Sequence, residues 1–161
     1  MERSLNENDF IVSKTDLQGR ITYVNKIFMD LAEYTEEELL GKPHSIIRHE
    51  GMPKIVFKLL WERIQAKEEI FAFVLNKTKN ANSYWVFANV TPSLDKNGKL
   101  IGYYSVRRKP KESALNAIKP VYQLLLDAEK SGGMNASEKL LENFLNEKGV
   151  SYDELIIGLQ K

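Results

Sequence analysis

Between Ile70 and Lys109 three β-prone runs follow one another with no room for a helix between them. IFAFVLNK is joined to YWVFANVTPSL by the Asn-rich KNANS, and that run is joined to LIGYYSVRRK by DKNGK, an Asn-Gly turn. Strands linked this closely can only pair antiparallel, because a parallel pair needs a crossover of a dozen residues or more. A meander of three strands must bury one face against something. The partner has to come from the first half of the chain.

That half begins with a second hairpin signal. Phe10 to Lys14 (FIVSK) and ITYVN flank TDLQGR, in which Asp16 and Gly19 mark the turn. Asn25 to Tyr34 then places Ile27, Phe28, Leu31 and Ala32 at helical spacing. Thr35-x-x-Glu38 is a capping box for a very short helix that Gly41 closes. PHSIIRHEGMP reads as loop or a single helical turn. Met52 to Lys67 is the longest helix of this half, with Pro53 at its start, an apolar stripe of Ile55, Val56, Leu59, Leu60 and Ile64, and Phe57 and Trp61 as an i,i+4 pair on an adjoining face. The expected domain is therefore α+β: a five-stranded antiparallel sheet with short flanking helices, over residues 1–109.

Pro110 marks a boundary, and residues 110–161 form a helical C-terminal extension. Helices are expected over Leu115 to Lys130, Asn135 to Lys148 and Ser151 to Gln160, the last two opening on capping-box spacings (Asn135 with Glu138, Ser151 with Glu154). Ser131-Gly132-Gly133 separates the first two. The extension reads either as a contact or dimerisation element or as a helix hairpin that packs on the sheet.

Composition narrows the functions. Twenty-three basic and 22 acidic side chains leave a net charge of +1, which argues against a non-specific nucleic-acid binder. No apolar run approaches a membrane span and the N-terminus is polar, so a cytoplasmic protein without direct membrane insertion is expected. There is no cysteine, which removes thiol catalysis, iron–sulfur clusters and any cysteine–flavin photochemistry. No nucleophile–base pair or metal-ligand cluster is visible, so no enzyme is expected.

The strings TDLQGRITYVN and F-x-x-L-A-E-Y-T-E-E-E-L-L-G-K, in this order of elements, resemble the general signature of PAS sensory domains over about residues 8 to 109. PHSIIRHEGMPKIVFKLLW and NKTKNANSYWVFANVTP are similar, more narrowly, to the FAD-binding PAS domains of bacterial aerotaxis and energy-taxis receptors. One departure is visible: those receptors usually carry an acidic residue where this chain has Gly51, with Glu50 adjacent. The resemblance implies a cytoplasmic redox sensor that holds FAD between the sheet and the helix Met52 to Lys67 and signals in trans to a transmembrane chemoreceptor-type transducer. It allows a homodimer, and a place at the inner membrane through the partner.

Asn25, His44, Arg48, His49, Phe57, Trp61, Asn76 and Tyr84 are the residues the resemblance brings to the cofactor. The chemistry of a flavin fits several of them. Phe57 and Trp61 offer aromatic surface, the Asn76 amide matches a uracil-like edge, and Arg48 and His49 offer positive charge to a diphosphate. Each also has a plainer reading: Phe57 and Trp61 as packed core, Asn25 as a helix N-cap, Arg48 as a solvated charge, Asn76 as an edge or turn residue. Arg107 on the last strand falls near the switch residue of flavin-based light sensors and is a candidate for signal relay, with a solvated charge as its plainer reading. A haem held through His49, a small metabolite, or a ligand-free interaction module are the alternatives to FAD.

Overall fold

A computed structural model describes all residues, Met1–Lys161. The first hairpin forms as its turn chemistry requires. Strands β2 (Ile11–Thr15) and β3 (Ile21–Val24) pair antiparallel. The Asp16 carboxylate accepts from the backbone N–H groups of Gln18 and Arg20, both at 2.9 Å, and Gly19 takes φ +82°. The same device recurs at the last turn. Asp95 accepts from Asn97 (2.8 Å) and Lys99 (2.9 Å), and Gly98 takes φ +79°.

The meander is β4 (Ile70–Lys77), β5 (Ser83–Leu94) and β6 (Leu100–Arg108), and β6 joins β2 to complete a sheet ordered β4-β5-β6-β2-β3. One strand was not foreseen. Glu2–Arg3 (β1) runs parallel to β5 at Ser83 and Tyr84, along the side of β5 that β6 flanks further on. The sheet is thus six-stranded and mixed rather than five-stranded and wholly antiparallel. The two residues of β1 carry no pattern that announces a strand.

Three short helical elements and one longer helix cover one face of the sheet. They are α1 (Lys26–Ala32), α2 (Glu36–Leu39), a 3₁₀ turn at His44–Ile47, and α3 (Lys54–Gln65). The Thr35–Glu38 capping box of α2 is formed in full. Alternation along the strands puts Ser13, Tyr84, Tyr103, Ser105, Arg107 and Asn76 on this inner face.

The extension is one long helix, α4 (Glu112–Lys148), broken only at Gly133, followed by α5 (Tyr152–Gln160). The expected Ser-Gly-Gly separator is reduced to that single residue. The Asn135 box is not used, since Glu138 turns instead to Lys58 on α3, while the Ser151–Glu154 box is present. Ala114, Ile118, Tyr122, Leu125, Leu141 and Ile156 belong to the same buried cluster as Phe73, Val86 and Phe28, so the helices share the core of the sheet. Strand β4 pairs on one side only, with β5. The Tyr122 hydroxyl donates to the Phe73 carbonyl (2.6 Å) and that of Tyr152 to the Phe71 carbonyl (2.8 Å), both on β4. Burial holds both phenols well above their usual range, so they remain donors at any physiological pH. Tyr122→Phe is expected to cost about 1 kcal/mol, the usual loss for one buried hydrogen bond, read as a lower urea midpoint. A midpoint unchanged from wild type would show that this bond contributes nothing.

Candidate functional site

The inner sheet face and α3 do not close on each other. Between them lies a cleft of about 300 Å³, walled by Leu60, Trp61 and Ile64 of α3 and by Val90, Tyr103 and Tyr104 of the sheet, with Ser13, His44, Ser45, Arg48 and Ser105 among its polar residues. Trp61 stands edge-on to Tyr103, ring centres 5.4 Å apart. Its side chain remains 38% exposed, which overturns the packed-core reading for this residue. A second, more open cleft of about 710 Å³ adjoins the first and shares Ser45, Arg48 and Trp61 with it. Phe57, His49, Lys54, Lys58 and Met134 line this outer part, and the Arg48 guanidinium sits 3.9 Å from the centre of the Phe57 ring.

Beneath the inner cleft the polar groups form a connected cluster. Arg107 is 3% exposed, and the solvated reading of this residue is thereby overturned. It donates through Nη2 to Ser13 Oγ (2.7 Å) and through Nη1 to His44 Nε2 (3.0 Å), and its guanidinium lies 4.8 Å from the centre of the Phe28 ring. No carboxylate pairs with it, and its Nε has no partner. Burial lowers its pKa to about 10, so it keeps its charge at neutral pH. Tyr84, fully buried nearby, also has a hydroxyl without a partner, and burial pushes it up to about 12 against the pull of Arg107.

His44 touches the cleft and the cluster together. Ser13 Oγ and Arg107 Nη1 both lie 3.0 Å from its Nε2. A guanidinium can only donate, so Nε2 is the bare nitrogen and the neutral ring carries its proton on Nδ1. Enclosure by the fold, then the charges of Arg107 and Arg48, push the imidazole down to about 3.

The other expected residues are dispersed. Asn76 is buried on β4 in register with Tyr84, and its backbone bridges that of Arg48. His49 faces the outer cleft, where its Nδ1 accepts from Gly51 N–H (2.8 Å). A Cβ at Gly51 would stand 3.0 Å from that nitrogen, while Glu50 is turned to Lys77 (3.2 Å). Asn25 lies apart from both clefts and its amide is engaged at both ends: Oδ1 accepts from Phe28 N–H and Val12 N–H, both at 3.1 Å, and Nδ2 donates to the Phe10 carbonyl (2.8 Å). It acts as the N-cap of α1 and ties that helix to β2. Ser13, Tyr103 and Ser105 were not anticipated. Their signal was present in the alternation of β2 and β6, which aligns them with Arg107 on one face, but small polar residues in alternation ordinarily mark the solvent side.

Comparison with known proteins agrees with this architecture. A family model described as the PAS fold matches residues 1–108. The chain is 37% identical over 121 residues to the aerotaxis receptor of Escherichia coli (strain K12), covering 75% of this chain and 24% of that protein. It is 28% identical over 102 residues to the biofilm dispersion protein BdlA of Pseudomonas aeruginosa, covering 63% and 23%, and 24% identical over 97 residues to a nitrogen fixation regulatory protein of Klebsiella pneumoniae, covering 60% and 20%. The chain thus spans a quarter or less of these relatives. Among solved structures, one described as a flavin analogue in a light-oxygen-voltage domain superposes with a TM-score of 0.60 at 22% identity, over 67% of this chain and 82% of that one. A PAS domain from Colwellia psychrerythraea does so at 0.57 and 20%, over 62% and 85%.

Proposed function

This chain belongs to the PAS family, and on that premise we propose that it is a redox sensor of taxis signalling that binds FAD between its sheet and α3. The observation that carries the reading is the buried polar cluster behind the inner cleft, which Ser13 and His44 join to the cleft wall. A buried guanidinium without a counter-charge, with its Nε free, lies beside a buried phenol that is likewise free. Such groups cost several kcal/mol to desolvate unless a ligand with acceptor atoms completes them. A flavin brings such atoms on a flat ring system, and Trp61 and Tyr103 supply the aromatic walls such a ring requires. The residues suited to its diphosphate are Arg48 and Lys54 in the outer cleft. His44, neutral at physiological pH, lines the inner cleft and holds Arg107 in place, while Asn76 and Tyr84 are buried outside its lining, in register on β4 and β5.

Bound there, a flavin supplies reversible electron uptake, and a change of charge on it alters what the neighbouring donors meet. Arg107 and His44 connect the inner cleft to β2 and β6, the route by which such a change would reach the sheet. The relationship to an aerotaxis receptor supports taxis signalling, and the names of two relatives describe a receptor and a regulatory protein rather than catalysed reactions. No helix is long and apolar enough to cross a membrane. The proposed output is contact in trans with a transmembrane chemoreceptor-type transducer, by a protein of the cytoplasm acting as a single copy or a homodimer, and the relationship to the aerotaxis receptor supports it.

Haem is the weaker reading. His44 Nε2 is engaged by Arg107, and His49 Nδ1 by Gly51 N–H, which leaves the proton of a neutral His49 on Nε2. Ligation of iron through either Nε2 would break an existing bond. An absorption spectrum of the purified protein tests the proposal. Two broad flavin bands are expected, and Arg48→Ala and Trp61→Ala should each lower flavin occupancy about tenfold, the loss of one charge-assisted or aromatic contact. A Soret band, or a protein that takes up no flavin when reconstituted, would sink it.

A further inference from the structure

The outer cleft is not built by residues 1–109 alone. Met134, the first residue past the break in α4, lines it opposite Phe57 and Trp61. Met134 is 39% exposed, unusual for a methionine that begins a helix docked on the core. The break that places it there is specific. Gly133 takes φ +73° with ψ −168°, a region open in practice only to glycine, so the change of direction belongs to the sequence.

The helix on either side of the break is fastened to α3, the common wall of both clefts. The Glu129 carboxylate accepts from Lys54 N–H (2.9 Å) and Ile55 N–H (3.1 Å) at the start of α3 and from Ser137 Oγ (2.8 Å). It therefore caps α3 from a distant element, and α3 has no side-chain cap of its own at Pro53. Glu138 pairs with Lys58 one turn further along, and Asp153 with Arg63 (3.0 Å) near its end. These contacts fix how far Met134 stands from Phe57 and Trp61.

Resting on the FAD reading above, we infer that the C-terminal helices complete the ligand site, with Met134 packing on the adenosine half of the dinucleotide. The charge of the outer cleft fits that occupant: Arg48, common to both parts, and Lys54 line it and carry no carboxylate partner, whereas Lys58 and Glu50 are already paired with Glu138 and Lys77. A thioether suits a flat heteroaromatic surface. Docking of residues 134–161 and occupancy of the outer cleft are then linked, each favouring the other, because one binding free energy depends on both. A mononucleotide flavin, which lacks the adenosine half, makes no such contact.

The test uses the full chain stripped of flavin and titrated separately with FAD and with FMN, followed by quenching of flavin fluorescence. Hydrogen exchange over residues 134–148 is measured in both complexes. Wild type is expected to hold FAD about tenfold more tightly than FMN, and Met134→Ala to weaken FAD about three- to fivefold while changing FMN less than about twofold, the size of one lost apolar contact. FAD, but not FMN, slows exchange over 134–148. Gly133→Ala should lower the FAD preference without touching a cleft residue. Equal affinity for the two flavins, or equal weakening of both by Met134→Ala, would overturn the role of the tail while leaving flavin binding in place. Failure of wild type to bind either flavin would remove the FAD reading and this inference with it.

Discussion

Acidification from pH 6.5 to 4.5 is expected to destabilise the flavin-free protein by roughly 2–3 kcal/mol through His44 alone. The folded chain holds this imidazole neutral down to about pH 3, whereas an unfolded histidine titrates near 6.5. A depressed folded pKa favours the native state above the unfolded value and loses that advantage as pH falls. Between the two values unfolding takes up one proton, and stability drops by about 1.4 kcal/mol per pH unit. The upper part of that interval lies above the ordinary range of carboxyl groups, which isolates the histidine. The physical cause is geometric: a proton on Nε2 would set one N–H against another across 3.0 Å, with Arg107 already charged. His44→Gln can keep an acceptor for Arg107 and has no such proton. Its urea unfolding free energy should be nearly level from pH 6.5 to 4.5. A variant that keeps the wild-type slope would show that another group is responsible.

Arg107→Met should make the flavin-free protein more stable, by about 1–3 kcal/mol, and less able to bind flavin. A single charge in the core without a counter-ion is the costliest kind of polar burial, and a methionine of similar length restores apolar packing against Phe28. The groups it leaves behind are not orphaned, because Ser13 Oγ lies within 3.0 Å of His44 Nε2 and the two can satisfy each other. The substitution also withdraws a nearby positive charge from His44, so the acid sensitivity just described should shrink in the same variant. Denaturant titration and flavin titration of one preparation measure both effects. A loss of stability beyond about 2 kcal/mol would mean that Arg107 is a keystone of the fold rather than a residue kept for a ligand.

Much of the architecture was readable because it rests on local chemistry. The Asp–Gly turns at 16–19 and 95–98, the boxes at Thr35 and Ser151, and the start of α3 after Pro53 are each decided within a few residues. Strand β4 matched its sequence run end to end. What was not readable depends on partners far along the chain. The parallel pairing of Glu2–Arg3, the diversion of Glu138 from an N-cap to Lys58, and the seating of Glu129 on the start of α3 all require the tertiary arrangement to exist first. The site divides in the same way. His44, Arg48 and Trp61 stood out in the sequence and meet at one cleft, whereas Asn25 is consumed by local hydrogen bonds. For Arg107 only the plainer, solvated reading fails, because alternation tells which residues share a side of a strand, not which side is inside. Here the enclosed side is the polar one.

The hydroxyls of Tyr122 and Tyr152 have a consequence for assembly. By taking up main-chain acceptors of β4 they close one border of the sheet to strand addition, a route by which β proteins recruit a second chain. The opposite border, β3, offers only four residues. A companion that docks on these residues is expected to grip side chains on their surfaces, with recognition set by shape and charge instead of backbone zippering.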